Sequence, residues 1–291
     1  MRFPDVLIIG AMKSGTTTLY RDLAENPAVF FPIDKEPNSL VSDDVLTDEG
    51  RAAYAAMFER ARPDQICAEA STSYTKNPVF EGAAGRARQL LRPDLKLIYL
   101  VREPVARIVS HQHHELTSRK IAERDIDRLV REYPAPLDFC RYAWQAQFWI
   151  DAFGPEQLRI VRFEDFIRDR KGVVASLSTF LGIDSRTDLV DPEANYNKSE
   201  GKPRARGFLR AVNQSPAYRR VLRPLLSAKV REKIRHRILP KAPPRPDPPS
   251  RATIEFIYDT LGDDLEALRV MMGLDEPVWS RERALSKARD A

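Results

Sequence analysis

Residues 6–20 read VLIIGAMKSGTTTLY, and this stretch decides the fold. Val6, Leu7, Ile8 and Ile9 form a short apolar run of the kind a parallel strand needs when both its faces are covered. Gly10 begins a tight loop, and Gly15-Thr16-Thr17-Thr18 opens a helix that carries Leu19 and Leu23. A strand, a glycine-bounded loop and a helix N-terminus together make a phosphate cradle. The N–H groups of a helix's first turn have no intrahelical partner, and the helix dipole favours negative charge there. The competing reading is an ordinary strand-to-helix turn with a solvated lysine. The spacing from Gly10 to Gly15 is that of the triphosphate loop GxxxxGK[ST]. The residue after Gly15 is Thr16, however, and the lysine is Lys13, inside the loop. The marker of a kinase or ATPase is therefore missing, while phosphate binding is retained.

Residues 96–115, KLIYLVREPVARIVSHQHHE, repeat the pattern. Leu97 to Val101 reads as a second buried parallel strand, Arg102 stands at its end, and Pro104 suits the first turn of a helix because its missing N–H costs nothing there. Arg107, Ser110 and His114 follow at helical spacing and share a face. Ligands of open parallel sheets gather at the carboxyl ends of the strands. An anion cradle at one strand end, with Arg102 and Ser110 at another, predicts a ligand with separated phosphate groups.

Strand candidates at 5–9, 28–31, 66–70, 96–101 and 158–162 alternate with helical segments near 15–25, 50–61, 79–91, 104–119, 138–153, 164–181 and 217–236. That alternation predicts an α/β fold of P-loop-like, three-layer form, with a mainly parallel central sheet flanked by helices. Residues 239–249 include PKAPPRPDPP, which reads as an extended surface strap. Beyond it, Ser250 caps a predicted helix holding Ile254, Ile257, Leu261 and Leu265, and residues 250–291 form a C-terminal helical extension. We read residues 1–291 as a single domain with that extension.

The motifs KSGTTTLY and LVREPVARIVSH, taken as a pair, resemble the two cofactor signatures of sulfotransferases that use 3′-phosphoadenosine 5′-phosphosulfate (PAPS). The likeness is to the bacterial branch related to heparan sulfate sulfotransferases. Further stretches are similar: DKEP at 34–37, AEASTSY at 68–74, NYNKSEGKPRARG at 195–207, and YDTLGDDLEAL followed by Trp279. The resemblance implies that Lys13, Ser14, Gly15, Thr16, Thr17 and Thr18 cradle the 5′-phosphosulfate, while Arg102 and Ser110 hold the 3′-phosphate. It implies that Lys202 and Arg204, in the basic segment with Lys198 and Arg206, close over the cofactor. Taken alone, that charge run is a solvated face. The chain departs from the family pattern at Asn38-Ser39-Leu40, where aromatic residues are usual, and at Ala70, where a lysine is common. Both positions bear on the acceptor, not the donor.

Sulfuryl transfer is an in-line displacement in which negative charge builds on the leaving oxygen, so positioning and electrostatics do most of the work. Lys13 is the candidate cation for the leaving adenosine 3′,5′-bisphosphate (PAP). A carboxylate or histidine must take the acceptor's proton. By the resemblance that base is Glu36. Without it, Asp34-Lys35-Glu36 is also readable as a solvated loop. Glu69, at the end of a strand, is the second candidate, or else a structural acceptor. His114, four residues beyond Ser110, faces the reaction centre by the same resemblance, while His111 and His113 point elsewhere on a helical wheel.

The 291 residues are 43% hydrophobic and 31% charged, as in a globular protein. No charged-then-apolar leader and no apolar run near about 18 residues is visible, which predicts neither signal peptide nor membrane span, and a cytoplasmic protein. Cys67 and Cys140 suit reduced, buried thiols, and neither they nor the histidines have zinc-ligand spacing, so no metal is expected. The net charge of +5 fits an anionic cofactor, and no nucleic-acid-reading motif accompanies it. The expected partner is a small-molecule or glycan acceptor. A P-loop kinase and a non-catalytic nucleotide-binding protein are the competing functions, and the oligomeric state is not readable.

Overall fold

The computed structural model describes residues 1–33, 35–118, 121–193 and 246–289. The strands are β1 (Val6–Gly10), β2 (Val29–Phe30), β3 (Ile66–Ala70), β4 (Lys96–Val101) and β5 (Leu158–Arg162). They form one sheet in the order β2-β3-β1-β4-β5, and every neighbouring pair is parallel. The helices used below are α1 (Thr16–Ala24), α2 (Asp48–Ala56), α3 (Ala83–Leu90), α4 (Pro104–Ser118), α5 (Ile126–Glu132), α6 (Ala135–Asp138), α7 (Tyr142–Phe153), α8 (Phe163–Arg168), α9 (Arg170–Leu181), α10 (Arg251–Met271) and α11 (Arg281–Leu285).

Side chains alternate across a strand, and the central strands have two cores to fill. Leu7, Ile9, Leu97, Tyr99 and Val101 point to one face and pack with Ala87 of α3, Trp149 of α7, and Ile257 and Leu261 of α10. Val6, Ile8, Ile98 and Leu100 point to the other and pack with Leu19 and Leu23 of α1, Phe166 of α8, and Val174 and Leu177 of α9. Burial on both faces is why β1 and β4 are apolar throughout rather than alternating. Each such Leu or Ile contributes roughly 1.5–3 kcal/mol by leaving water.

The C-terminal helix docks as its apolar stripe requires. The Ser250 hydroxyl accepts from Thr253 N at 3.3 Å and caps α10, whose Ile254, Ile257 and Leu261 are fully buried. In return, the Asp264 carboxylate of α10 caps α7, accepting from Ala143 N at 3.1 Å and Trp144 N at 2.8 Å.

The element boundaries differ from expectation in instructive places. The segment expected as one helix over 164–181 breaks at Asp169, which leaves helical geometry (φ −138°, ψ 75°) so that its carboxylate can cap the second piece through Gly172 N at 2.8 Å. The helix expected over 138–153 begins only at Tyr142, the short α6 ends at Asp138, and α5 lies where none was read. The strand expected over 28–31 keeps only Val29 and Phe30, because β2 is an edge strand paired on one side. The expected helix near 217–236, the basic segment 195–207 and most of the 239–249 strap lie outside the described residues. Among those described, no helix is long and apolar enough to cross a membrane.

One ion pair fixes α1, and with it the cradle, against α9. Arg170 Nε donates to Asp22 at 3.1 Å, the pair is almost fully buried, and Arg170 also donates to Pro192 O at 2.9 Å. Burial pushes the Asp22 carboxyl up, and Arg170 opposes that shift. Asp22→Ala removes the buried carboxylate that balances the Arg170 charge and is expected to cost about 3–5 kcal/mol, read as a fall in the urea midpoint at constant m-value.

Candidate active site

The sheet order creates a crevice at its switch point. From β1 the chain runs outward to β2 and back to β3 on one side, then crosses to β4 on the other, so the loops after β1 and β4 diverge from adjacent strand ends. Ala11 N donates to Leu100 O at 2.6 Å, continuing the β1–β4 pairing into the loops. Arg102 Nη1 then donates to Lys13 O at 3.0 Å, tying the two expected phosphate loops directly together.

The first loop is shaped by close approaches. A Cβ on Gly10 would lie 2.0 Å from the Thr75 hydroxyl, and one on Gly15, at φ +90°, would lie 2.8 Å from the Phe163 ring. Ser14 N is bonded to Ala11 O and Thr18 N to Gly15 O. Among the described residues the amides of Gly15, Thr16 and Thr17 have no such partner, which leaves them for an anion at the start of α1.

In the second loop, Glu103 caps α4 through Val105 N (2.9 Å) and Ala106 N (2.7 Å), and it accepts from Tyr258 OH at 3.1 Å. The Arg102 guanidinium rests on the Phe163 ring, 4.6 Å from its centroid, and its buried Nε has no hydrogen-bond partner. Burial and the neighbouring Arg107 lower its pKa against the pull of Glu164, Tyr142 and Glu103. The Arg102 Nε is left with a hydrogen to donate, and the half-buried guanidinium borders the cavity.

Both loops open into one cavity of about 790 Å³, within the roughly 300–1,000 Å³ range of small-molecule sites. Lys13, Gly15, Thr16, Thr17, Arg102, Ser110, Glu36 and His114 line it. Ser14 and Thr18 do not. Ser14 is buried behind the loop with its hydroxyl unpartnered, and both amides are spent locally. Lys202 and Arg204 lie outside the described residues.

The α4 face is in part the one expected. Val105, Ala106, Val109, Ser110, His113 and His114 line the cavity, so Ser110 and His114 of the expected face do so and Arg107 does not. His113 therefore lines the site after all. Arg107 turns inward to donate to Cys140 Sγ at 2.7 Å and Pro136 O at 2.6 Å. His111 is half-buried, and burial first, then Arg107, Lys76, His114 and Lys13, pushes its pKa down to about 2, so it is neutral. Both cysteines are free and buried. Among the described residues no three His, Cys, Asp or Glu side chains gather as a metal-ligand set.

The two candidate carboxylates occupy opposite environments. Glu36 lines the cavity. Burial opposes its charge, but Lys35 Nζ at 2.6 Å, Thr72 Oγ1 at 2.9 Å and Thr72 N at 3.2 Å outweigh it, and the carboxyl is held below its ordinary range. Glu69 is fully buried away from the cavity, and burial pushes its pKa up. It accepts from Tyr54 OH, from Tyr74 OH at 2.6 Å and from Ser71 Oγ at 2.7 Å. Ser71 Oγ in turn accepts from Asn38 N at 3.1 Å, so Glu69 holds the loop that carries Glu36. The non-glycine residues with left-handed backbone, among those described, are Lys13, Glu36 and Asn38. Such geometry costs about 1–3 kcal/mol and gathers at functional sites.

Lys76, Phe163, His113, and Pro246, Pro248, Pro249, Ala284 and Lys287 from the C-terminal part also line the cavity. None was singled out as a ligand from the sequence. Lys76 and Phe163 each sit directly beyond a strand or turn that leads to the crevice, a positional signal that was available. The C-terminal residues carry no such signal.

With this geometry in place, comparison with known proteins is decisive about the family. The sulfotransferase domain family matches residues 3–203. The chain belongs to that family. Human heparan sulfate glucosamine 3-O-sulfotransferase 6 is 28% identical over 209 residues, which cover 69% of this chain and 58% of the human protein. Human heparan sulfate glucosamine 3-O-sulfotransferase 3B1 is 28% identical over 211 residues, 69% of this chain and 51% of that protein. The chain thus spans little more than half the length of these relatives. The crystal structure of a sulfotransferase from Alicyclobacillus acidocaldarius superposes with a TM-score of 0.64 at 22% identity, covering 95% of this chain and 98% of that one, and shares the fold. The sulfotransferase domain's cradle depends on Gly15, where a side chain meets both positive φ and Phe163. Gly15→Ala is expected to cost about 1–3 kcal/mol, measured by thermal and urea unfolding.

Proposed function

We propose that this chain transfers the sulfuryl group of PAPS to a hydroxyl or amine of an acceptor and releases PAP. The observation that supports the reading is the pairing of two sets of unpartnered donors at one cavity, the first-turn amides of α1 beside Lys13 and the buried Arg102 Nε, held together by the Arg102–Lys13 hydrogen bond. The residues present suit PAPS as donor. Lys13 with Gly15, Thr16 and Thr17 would hold the 5′ end, and Arg102 with Ser110 the 3′-phosphate. We read residues 1–291 as one sulfotransferase unit.

The acceptor enters on the Glu36 side. Glu36 takes its proton as the acceptor oxygen or nitrogen bonds to sulfur, and the bond from sulfur to the bisphosphate oxygen breaks in line. The electron pair of that bond leaves on the 5′-phosphate, where the Lys13 ammonium and the α1 amides meet the developing charge. His114 and His113 line the wall beside this path and steady the transferring group. The acceptor is a carbohydrate, a glycolipid or a small natural product. Asn38, Leu40 and Ala70, at positions the glycan-modifying members use toward their acceptors, here go to loop bonding or buried packing, while Thr72 and Lys76 line that side of the cavity.

PAP should raise the melting temperature well above the effect of AMP, without magnesium. Equal shifts would remove the 3′-phosphate site from the argument. Lys13→Ala should lower kcat by about 10²–10³-fold with PAP still bound, the scale for losing one preorganised charge-stabilising donor, and turnover near that of the parent chain would refute its role.

The environment of Glu36 sets a pH signature. A carboxylate whose pKa lies below the ordinary 4.5 stays charged, and able to accept a proton, as pH falls to that value, and it is lost only below it. The acid limb of kcat/KM should therefore lie below the ordinary carboxylate range. Thr72→Val removes a hydrogen bond that favours the charged form, so the limb should move to higher pH. A limb that stays in place, or that persists in Glu36→Gln, assigns the base elsewhere.

A further inference from the structure

We propose that Lys287, in the C-terminal segment beyond α11, is a phosphate-binding residue of the donor site and contacts the 3′-phosphate side of the nucleotide. The proposal rests on the sulfotransferase reading above and extends it to a part of the chain outside the matched region 3–203.

Pro248, Pro249, Ala284 and Lys287 line the same cavity as Arg102 and Ser110. The tail that carries Lys287 is fastened. Arg289 N donates to Pro249 O at 3.1 Å, making a parallel bridge between Ser250 and Arg289. Asp127 of α5 accepts from Ser250 N at 2.9 Å and from Arg289 Nη2 at 2.6 Å, clamping the end of the strap and the tail with one carboxylate. Arg281 is likewise paired, to Asp259 at 2.6 Å.

Against those paired arginines, Lys287 is different. Among the described residues its ammonium has neither a hydrogen-bond nor an ion-pair partner. It is held two residues from the Arg289 clamp, exposed, on the cavity wall. Its side of the cavity follows from the packing order. The helix α11 rests on α10, which packs on α7, α4 and α5; Tyr258 of α10 donates to Glu103 at the start of α4, and Trp279, just before α11, donates to Glu164, which accepts from Glu103 N. Glu103 directly follows Arg102 and leads into the helix of Ser110, so the extension that carries Lys287 is attached on that side. A lysine presented there adds a cation beside the 3′-phosphate, while the two prolines and Ala284 give an apolar wall for the rest of the nucleotide.

The test is calorimetric titration of the full chain with PAP and with AMP, which lacks the 3′-phosphate. Lys287→Ala should weaken PAP about fivefold, the size expected for one ion pair at a solvent-exposed edge, and leave AMP within about twofold. The loss should shrink with added salt, as exposed charge pairs are screened. Lys287→Arg should keep most of the PAP affinity, and the ligand-free melting temperature should match the parent chain in both variants. If Lys287→Ala binds PAP as the parent does, or loses PAP and AMP equally, the proposal is overturned while the donor reading stands. If the parent chain does not favour PAP over AMP, the donor reading fails and Lys287 falls with it.

Discussion

The hydrogen bond from Arg102 to the Lys13 carbonyl is the constraint on which the site depends. It forms because β1 and β4 are adjacent and parallel, so that loops far apart in sequence leave the sheet side by side. The bond does two things at once. It uses one nitrogen of the guanidinium to fix the left-handed backbone at Lys13, and it leaves the buried Nε without a partner. Phe163 reinforces the arrangement from below, touching Gly15 and stacking under Arg102. A single aromatic ring thus sets the height of both loops.

A second network ties this pair of loops to the C-terminal extension. Tyr142 OH donates to Arg102 O at 2.7 Å, and its ring packs on Trp279. The Trp279 indole donates to Glu164 at 2.9 Å, Glu164 accepts from Glu103 N at 3.1 Å, and Glu103 accepts from Tyr258 of α10. Every link is a buried or half-buried polar group satisfied by another, and such networks are rigid because breaking one member leaves its partner unpaired. The extension therefore bears on the backbone of Arg102, as well as supplying cavity wall. Its buried stripe and its polar contacts point the same way.

Glu36 and Glu69 show how two carboxylates of one small region are given different tasks by their surroundings. Glu36 has donors that favour its charged form and a mouth onto the cavity. Glu69 has tyrosine and serine hydroxyls and no access, and its effect on Glu36 passes through Ser71 and Asn38. Environments that separate the pKa values of neighbouring acids are the usual way that acid and base roles are divided. Here the division is between a group that faces the cavity and a group that positions the loop.

The sequence by itself determined the layered α/β fold. Apolar runs as short as Val6–Ile9 and Leu97–Val101, bounded by Gly10 and by Arg102 and Pro104, suit a sheet covered on both faces, and glycine spacing and helix-capping signals are local. It also determined the two anion loops, whose chemistry is carried by contiguous residues. What it did not determine was which face of α4 meets the cavity. Residues 106, 110, 113 and 114 line it and residue 107 does not, because Cys140 and Pro136, distant in sequence, capture Arg107. The separation of Glu36 from Glu69, and the return of Pro249, Ala284 and Lys287 to the cavity, were likewise decided only by tertiary packing. Each depends on partners tens to more than a hundred residues away, and periodicity and spacing report only on neighbours along the chain.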